Sequence, residues 1–172
     1  GIALFSDKVG LIDHKVNSQI DLFKEYGGVI PESAARDHSN KIVKILNKVL
    51  KENDVTIDQI DLIAYTAGPG LIGSLMVGET VAKTISKVKN IEIIPIHHLE
   101  GHILAPGIEN RSLKPPYLCL LVSGGHTQII DCDDYGQYSI LGETIDDACG
   151  EAFDKVGTVS YTHLTLPTKV TV

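Results

Sequence analysis

Ile91-Glu92-Ile93-Ile94-Pro95-Ile96-His97-His98-Leu99-Glu100-Gly101-His102 sets the class of this chain, because a β-branched run leads straight into helical spacing. Ile91 to Ile96 reads as a buried strand. It delivers the chain to a helix that carries His98 and His102. At i and i+4 these two side chains share one helix face, with Cβ atoms about 5–6 Å apart. Both imidazoles can then reach one divalent metal ion at roughly 2.0–2.1 Å each. Two ligands do not complete a site, so a third protein ligand comes from elsewhere. An isolated pair of this kind is more often a solvated helix start, and the flanking segments decide between the two readings.

Upstream, Leu62 to Thr66 is a strand that runs into Gly68-Pro69-Gly70, and an Ala/Val/Ile-rich helix follows to about Val88. Earlier still, Gly27-Gly28 breaks the pattern and Pro31-Glu32 starts a helix, since proline suits a first helical turn. Ala35, His38, Ile42, Ile45, Leu46, Val49 and Leu50 recur there at helical spacing. Gly1 to Val16 holds two short β-like stretches joined by the polar turn Ser6-Asp7-Lys8. Downstream, the polar, proline-bearing Asn110 to Pro116 is the expected boundary between a first lobe (1–112) and the beginning of a second (113–157). Tyr117 to Val122 is a strand, and Gly124-Gly125 reverses it into His126 to Cys132. A last helix spans about Ile145 to Val156, with Ile145, Cys149, Ala152, Phe153 and Val156 as its apolar face. Thr144 and Asp147 form its expected capping box. Strands alternating with helices, plus a glycine-turned hairpin, predict an α/β fold with a mixed sheet.

Composition removes several function classes. With 43% apolar and 22% charged residues the chain is globular rather than disordered. No run of about 18 apolar residues is available to span a membrane, and no secretory signal pattern is visible. The net charge of -7 gives no global footprint for nucleic acid, so an RNA substrate would need a local basic patch or a partner. Cys119, Cys132 and Cys149 form no C-x-x-C pair and read as reduced, mostly packed thiols of a cytosolic protein.

Three motifs carry chemistry, each beside a plainer explanation. Gly68-Pro69-Gly70-x-x-Gly73 lies between strand and helix, where backbone N–H groups can face an anion. Without a P-loop lysine, close helix packing is the preferred reading. Ser123-Gly124-Gly125-His126-Thr127 lets the main chain approach a ligand, with hydroxyls for phosphate or carbamoyl oxygens; an ordinary tight hairpin explains its glycines equally well. Asp147, Glu151 and Asp154, at i, i+4 and i+7, put three carboxylates on one helix face. Solvation is the default for Asp147 and Glu151. A carboxylate aimed into a glycine-lined pocket would instead bind ribose-type hydroxyls or organise a cation.

Taken together, Y-G-G-V-I-P-E-S-A-A-R-D-H (Tyr26 to His38), A-Y-T-A-G-P-G-L-I-G-S-L (Ala64 to Leu75), H-H-L-E-G-H (His97 to His102), L-V-S-G-G-H-T (Leu121 to Thr127) and G-E-x-x-D-D-A-x-G-E-A-F-D-K (Gly142 to Lys155) closely resemble one family. It is the tRNA N6-adenosine threonylcarbamoyltransferases, the TsaD family, formerly labelled glycoprotein endopeptidase. The wording of Tyr26 to Glu32 is similar to the bacterial and organellar branch. The resemblance implies a two-lobe fold of the actin, Hsp70 and sugar-kinase type (RNase H-like). It implies His98 and His102 as ligands of one divalent ion, Fe²⁺ or else Zn²⁺. It also implies a threonylcarbamoyl-adenylate pocket lined by Leu121, Val122, Ser123, Gly124, Gly125 and Asp154. The implied reaction moves the threonylcarbamoyl group to the adenosine beside the tRNA anticodon, by Lewis-acid activation and positioning without a nucleophilic side chain. Implied partners are tRNA, a paralogous metal-free subunit and a small ATPase; the implied setting is cytoplasmic, or organellar in a eukaryote.

Two rival reactions fit parts of the pattern. A metallopeptidase would carry its general base directly after the first histidine, in H-E-x-x-H. Leu99 stands there, and Glu100 lies about 200° around the helix from His98. An ATPase or kinase would share the fold, and fold does not settle function. The chain also departs from the family pattern. The family's opening strand is absent before Gly1, and Thr158 to Val172 replaces the expected continuation. That Thr/Val-rich tail reads as adapter read-through in an assembled frame, with a divergent β-strand as the alternative. The expectation is therefore a chain with half of a site, inactive and poorly stable as written.

Overall fold

The computed structural model describes residues 1–19, 23 and 29–159. The expected break at Gly27-Gly28 and the tail from residue 160 lie outside the described residues. The chain divides into two compact units, Gly1–Gly101 and His102–Val172, and the connector Asn110 to Pro116 lies inside the second.

The first unit opens with an antiparallel hairpin of β1 (Ile2–Ser6) and β2 (Gly10–Lys15). Gly10 begins β2 at φ 95°, a conformation that suits glycine. Helix α1 (Pro31–Glu52) has its proline in the first turn, Lys51 in the last, and buries Ala34 and Val49. Its C-terminal end is tied to the hairpin: Asn53 donates to Asp13 at 2.9 Å and Lys15 meets Glu52 at 2.9 Å. Next, β3 (Leu62–Gly68), α2 (Ile72–Lys89) and β4 (Glu92–His97) form a parallel β-α-β unit. Helix α2 stops at Asn90, whose left-handed backbone (φ 56°) turns the chain, while the Ser86 hydroxyl donates to the Ile91 carbonyl at 2.6 Å. The expectation of a buried strand at Ile91 to Ile96 holds only in part. Ile93 and Ile96 are half-buried, but Ile94 is exposed, because β4 pairs with β3 alone and is an edge among the described strands.

Helix α3 (His98–Leu104) follows β4 directly, and the boundary between the units falls within it. The second unit continues through the short α4 (Pro106–Glu109) into a meander of β5 (Tyr117–Val122), β6 (Thr127–Asp134) and β7 (Gln137–Glu143), then α5 (Cys149–Val159). All three strands are antiparallel in the order β5-β6-β7. Leu121, Ile130, Cys132, Ala148 and Ile103 are the buried apolar residues of this unit.

Three sequence expectations need correction. The described strands form three small sheets, not one mixed sheet. Strand β7 follows the two-residue turn Tyr135-Gly136, with Gly136 at φ 76°; it was not anticipated. Helix α5 begins at Cys149 rather than near Ile145, so Ile145 lies in the preceding loop and is fully exposed. The Thr144–Asp147 capping box does not form. Instead the Thr144 hydroxyl donates to the Asp147 carbonyl at 2.6 Å, closing a turn before the helix.

Candidate functional site

The β5–β6 connection is held by its own first residue. Ser123 N–H donates to the His126 carbonyl at 2.8 Å, and His126 N–H donates to the Ser123 hydroxyl at 3.0 Å. Between them Gly124 and Gly125 are exposed. Neither has a positive φ, and a Cβ on either would meet nothing within 4 Å among the described residues. The hairpin therefore does not require glycine at these positions, by conformation or by packing. The main chain of Gly124 and Gly125 is therefore open to an approaching molecule on this side.

Helix α5 is clamped onto this loop. Gly150 N–H donates to the Ser123 carbonyl at 3.3 Å, and Cys149 N–H donates to the Thr127 hydroxyl at 2.8 Å. Gly150 is buried, and a Cβ there would fall 2.8 Å from Gly124 Cα and 2.9 Å from the Ser123 carbonyl oxygen. Both are backbone atoms that cannot swing aside. A glycine at 150 is thus what lets the helix start touch the loop; Gly150 and Thr127 both stand within the sequence motifs, which give neither the contact of the first nor the capping role of the second. The visible signal was Gly150 directly after Cys149, at the beginning of an otherwise apolar and acidic helix.

The acidic residues separate. Lys155 makes ion pairs with Asp147 at 2.5 Å and Glu151 at 3.3 Å, and these bonds raise the lysine's pKa, Asp147 contributing most. Asp147 precedes the helix, so the three carboxylates do not share one helix face. Asp154 lies four residues beyond Gly150, on the side of α5 that Gly150 turns to the loop. Of the three it is the one that shares a helix face with Gly150, and it is exposed. Leu121 is buried, so only its main chain is available to a ligand, whereas Val122 is exposed and Ser123 half-buried.

His98 and His102 lie on α3, four residues apart on one helical face, His98 exposed and His102 half-buried. The carbonyl of Ile103, beside His102, accepts the Tyr117 hydroxyl at 3.2 Å, which links this end of α3 to β5. Burial, with Cys132 beside it, pushes the Tyr117 phenol up, so it stays a hydrogen-bond donor. Two imidazoles on one face fit a borderline divalent ion by donor chemistry. Among the described residues no group of three or more His, Cys, Asp or Glu could hold a metal ion. The cysteines are free thiols; Cys132 is fully buried, and burial pushes the Cys119 thiol up.

The glycine turn after β3 is built for the fold instead. Gly68 and Gly70 have φ of 155° and 157°, which side-chain-bearing residues rarely adopt, and a Cβ on Gly73 would meet the Ala35 Cβ at 3.0 Å. The packing reading of that motif is supported.

The described chain is thus an α/β protein with small sheets, an exposed glycine loop after β5 and a histidine pair on α3. A family model, TsaD: tRNA N6-adenosine threonylcarbamoyltransferase, matches residues 10–169. The chain belongs to that family, and its α/β architecture agrees with an actin- and sugar-kinase-like fold present in part. The match extends into the stretch after Gly157 that the motif comparison had set apart. Similar solved structures are YeaZ from Pseudomonas aeruginosa (16% identity, TM-score 0.43, covering 62% of this chain and 51% of that one). A second is a protein described as uncharacterized, with similarity to peptidase YEAZ, from Pseudomonas aeruginosa (16% identity, TM-score 0.42, covering 61% and 49%). The chain thus spans about half the length of the solved structures it matches.

Proposed function

We propose that this chain supplies the acyl-adenylate loop and two metal ligands for transfer of threonylcarbamoyl from threonylcarbamoyl-adenylate to N6 of the adenosine beside the tRNA anticodon. The observation that carries the proposal is the open space beside Gly124 and Gly125, which no feature of the hairpin requires. Family membership supports the chemistry. In this reading the Gly124 and Gly125 N–H groups and the Ser123 hydroxyl hold the oxygens of the adenylate, and Asp154 accepts hydrogen bonds from its ribose hydroxyls. Holding an already activated acyl group in place supplies most of the rate, so no side-chain nucleophile is needed. His98 and His102 would hold one Fe²⁺ or Zn²⁺ ion, which when bound supplies Lewis-acid polarisation of the reacting carbonyl. Two histidines alone hold such an ion weakly, with water or a ligand from elsewhere filling the remaining positions. The 172-residue chain by itself is proposed to be inactive for the same reason.

The proposed partners are tRNA, a paralogous subunit without metal and a small ATPase, in a cytoplasmic setting; no described helix is long and apolar enough to cross a membrane. Against a peptidase, α3 is helical from His98 onward, so Glu100 lies about 200° around the helix from His98 and off the metal-facing side. The test is His98→Ala with His102→Ala in the full-length protein. Metal content and modified tRNA in a complementation assay are expected to fall together to background. Modification at the wild-type level would overturn the proposal.

A further inference from the structure

Thr127 receives two backbone donors from the segment after β7. Its carbonyl accepts the Thr144 amide at 2.9 Å, and its hydroxyl accepts the Cys149 amide at 2.8 Å. Cys149 is the first residue of α5, and first-turn amides have no partner inside their own helix. The next amide, Gly150, goes to the Ser123 carbonyl. Two consecutive donors at the start of α5 therefore end on Ser123 and Thr127, the residues that bracket the bare glycine loop. The local cap that the sequence offers, Thr144 with Asp147, closes a turn of its own and leaves these donors alone.

We infer that Thr127 is a positioning residue of the proposed acyl-adenylate site: a helix cap delivered from the strand on the far side of the loop. It fixes where α5 begins, and so holds Asp154, one turn beyond Gly150, on the loop side of the helix. The inference rests on the functional reading above, since only a ligand shared by loop and helix makes their relative position matter for transfer. A hydroxyl suits this task because a short side chain with a lone pair can receive an amide that arrives from another element. Without it the first turn of α5 frays in the free protein, and ligand binding has to re-form it. The competent fraction falls, and apparent affinity falls with it.

Three versions of the full-length protein test this: wild type, Thr127→Val, which keeps the branched shape without the acceptor, and Thr127→Ser, which keeps the acceptor. Steady-state transfer and ligand-free amide exchange at Cys149 and Gly150 are measured on each. Thr127→Val is expected to raise KM for threonylcarbamoyl-adenylate about five- to tenfold, the size of a lost cap. The same variant should leave kcat near wild type and speed exchange at Cys149, and Thr127→Ser should restore both readouts. A merely structural role would instead lower kcat, through less folded enzyme, at unchanged KM. That result, or wild-type KM and Cys149 protection in Thr127→Val, overturns the inference. Should Thr127→Val not fold, Thr127→Ala is read in the same two ways. Wild-type protein that neither binds nor transfers the acyl-adenylate would sink the functional reading, and with it a positioning role for transfer, whatever exchange at Cys149 shows of the cap.

Discussion

The two glycine turns of this molecule look alike in sequence and differ in what demands them. After β3, Gly68 and Gly70 adopt backbone angles that other residues rarely reach, and Gly73 lies against Ala35. There the chain itself requires glycine. After β5, Gly124 and Gly125 have ordinary backbone angles and open space beside them among the described residues. There neither the backbone nor the packing requires glycine, and the proposed reason is a ligand. Gly150 belongs to this second turn although it lies far along the sequence, because its missing side chain lets α5 reach the loop. A glycine-rich motif therefore marks a ligand only where neither φ nor packing accounts for it.

Substitutions can break this contrast. The largest effect on stability is expected for Gly150→Ala. Helix propensity alone would favour alanine by about 1 kcal/mol, but the new Cβ would collide with Gly124 Cα and the Ser123 carbonyl. A net loss of about 3 kcal/mol is expected from that overpacking, read by chemical denaturation of the full-length protein. A neutral Gly150→Ala would mean the clamp between loop and helix is not tight. Gly70→Ala should cost about 2 kcal/mol through backbone strain and leave the affinity for an acyl-adenylate analogue unchanged. Loss of affinity there would erase the distinction between the turns. Gly73→Ala should cost about 1 kcal/mol, because Ala35 Cβ must give by only a few tenths of an ångström.

The smallest effect is one of pH and concerns the first unit. Gln19, and after it Lys41, hold the Asp37 carboxyl below the usual carboxylate range; Lys15 does the same for Glu52. With folded-state values depressed, this contribution is complete at neutral pH and is lost as pH falls below about 4. Asp37→Asn is therefore expected to be slightly less stable than wild type at pH 7, with the difference closing in acid. Denaturation midpoints measured across that range check it, and a constant difference would argue against the assignment.

Much of the frame was legible because its signals are local. Pro31 opening α1, the apolar spacing through Val49 and the run into α3 each depend on neighbouring residues. The hairpin Tyr117 to Cys132 was legible for the same reason. What escaped was non-local. Thr127 caps a helix from 22 residues away, so the nearby Thr144–Asp147 pair drew the helix start too early. Gly150 matters through its contact with Gly124, which no spacing rule contains. Strand β7 was overlooked although Tyr135-Gly136 offered a turn, because Gln137 to Glu143 lacks clean alternation. The histidine pair was read from spacing, and its helix is present; its use for metal remains a proposal.

Gly124→Ala and Gly125→Ala measure the central claim, that the space beside these residues belongs to a ligand. Each new methyl would enter open space, so the stability of the full-length protein should change by no more than about 0.5 kcal/mol. Titration with a non-transferable threonylcarbamoyl-adenylate analogue should show binding lost in both variants while the fold persists. Wild-type affinity in both would contradict the claim, and the loop would then be an ordinary hairpin.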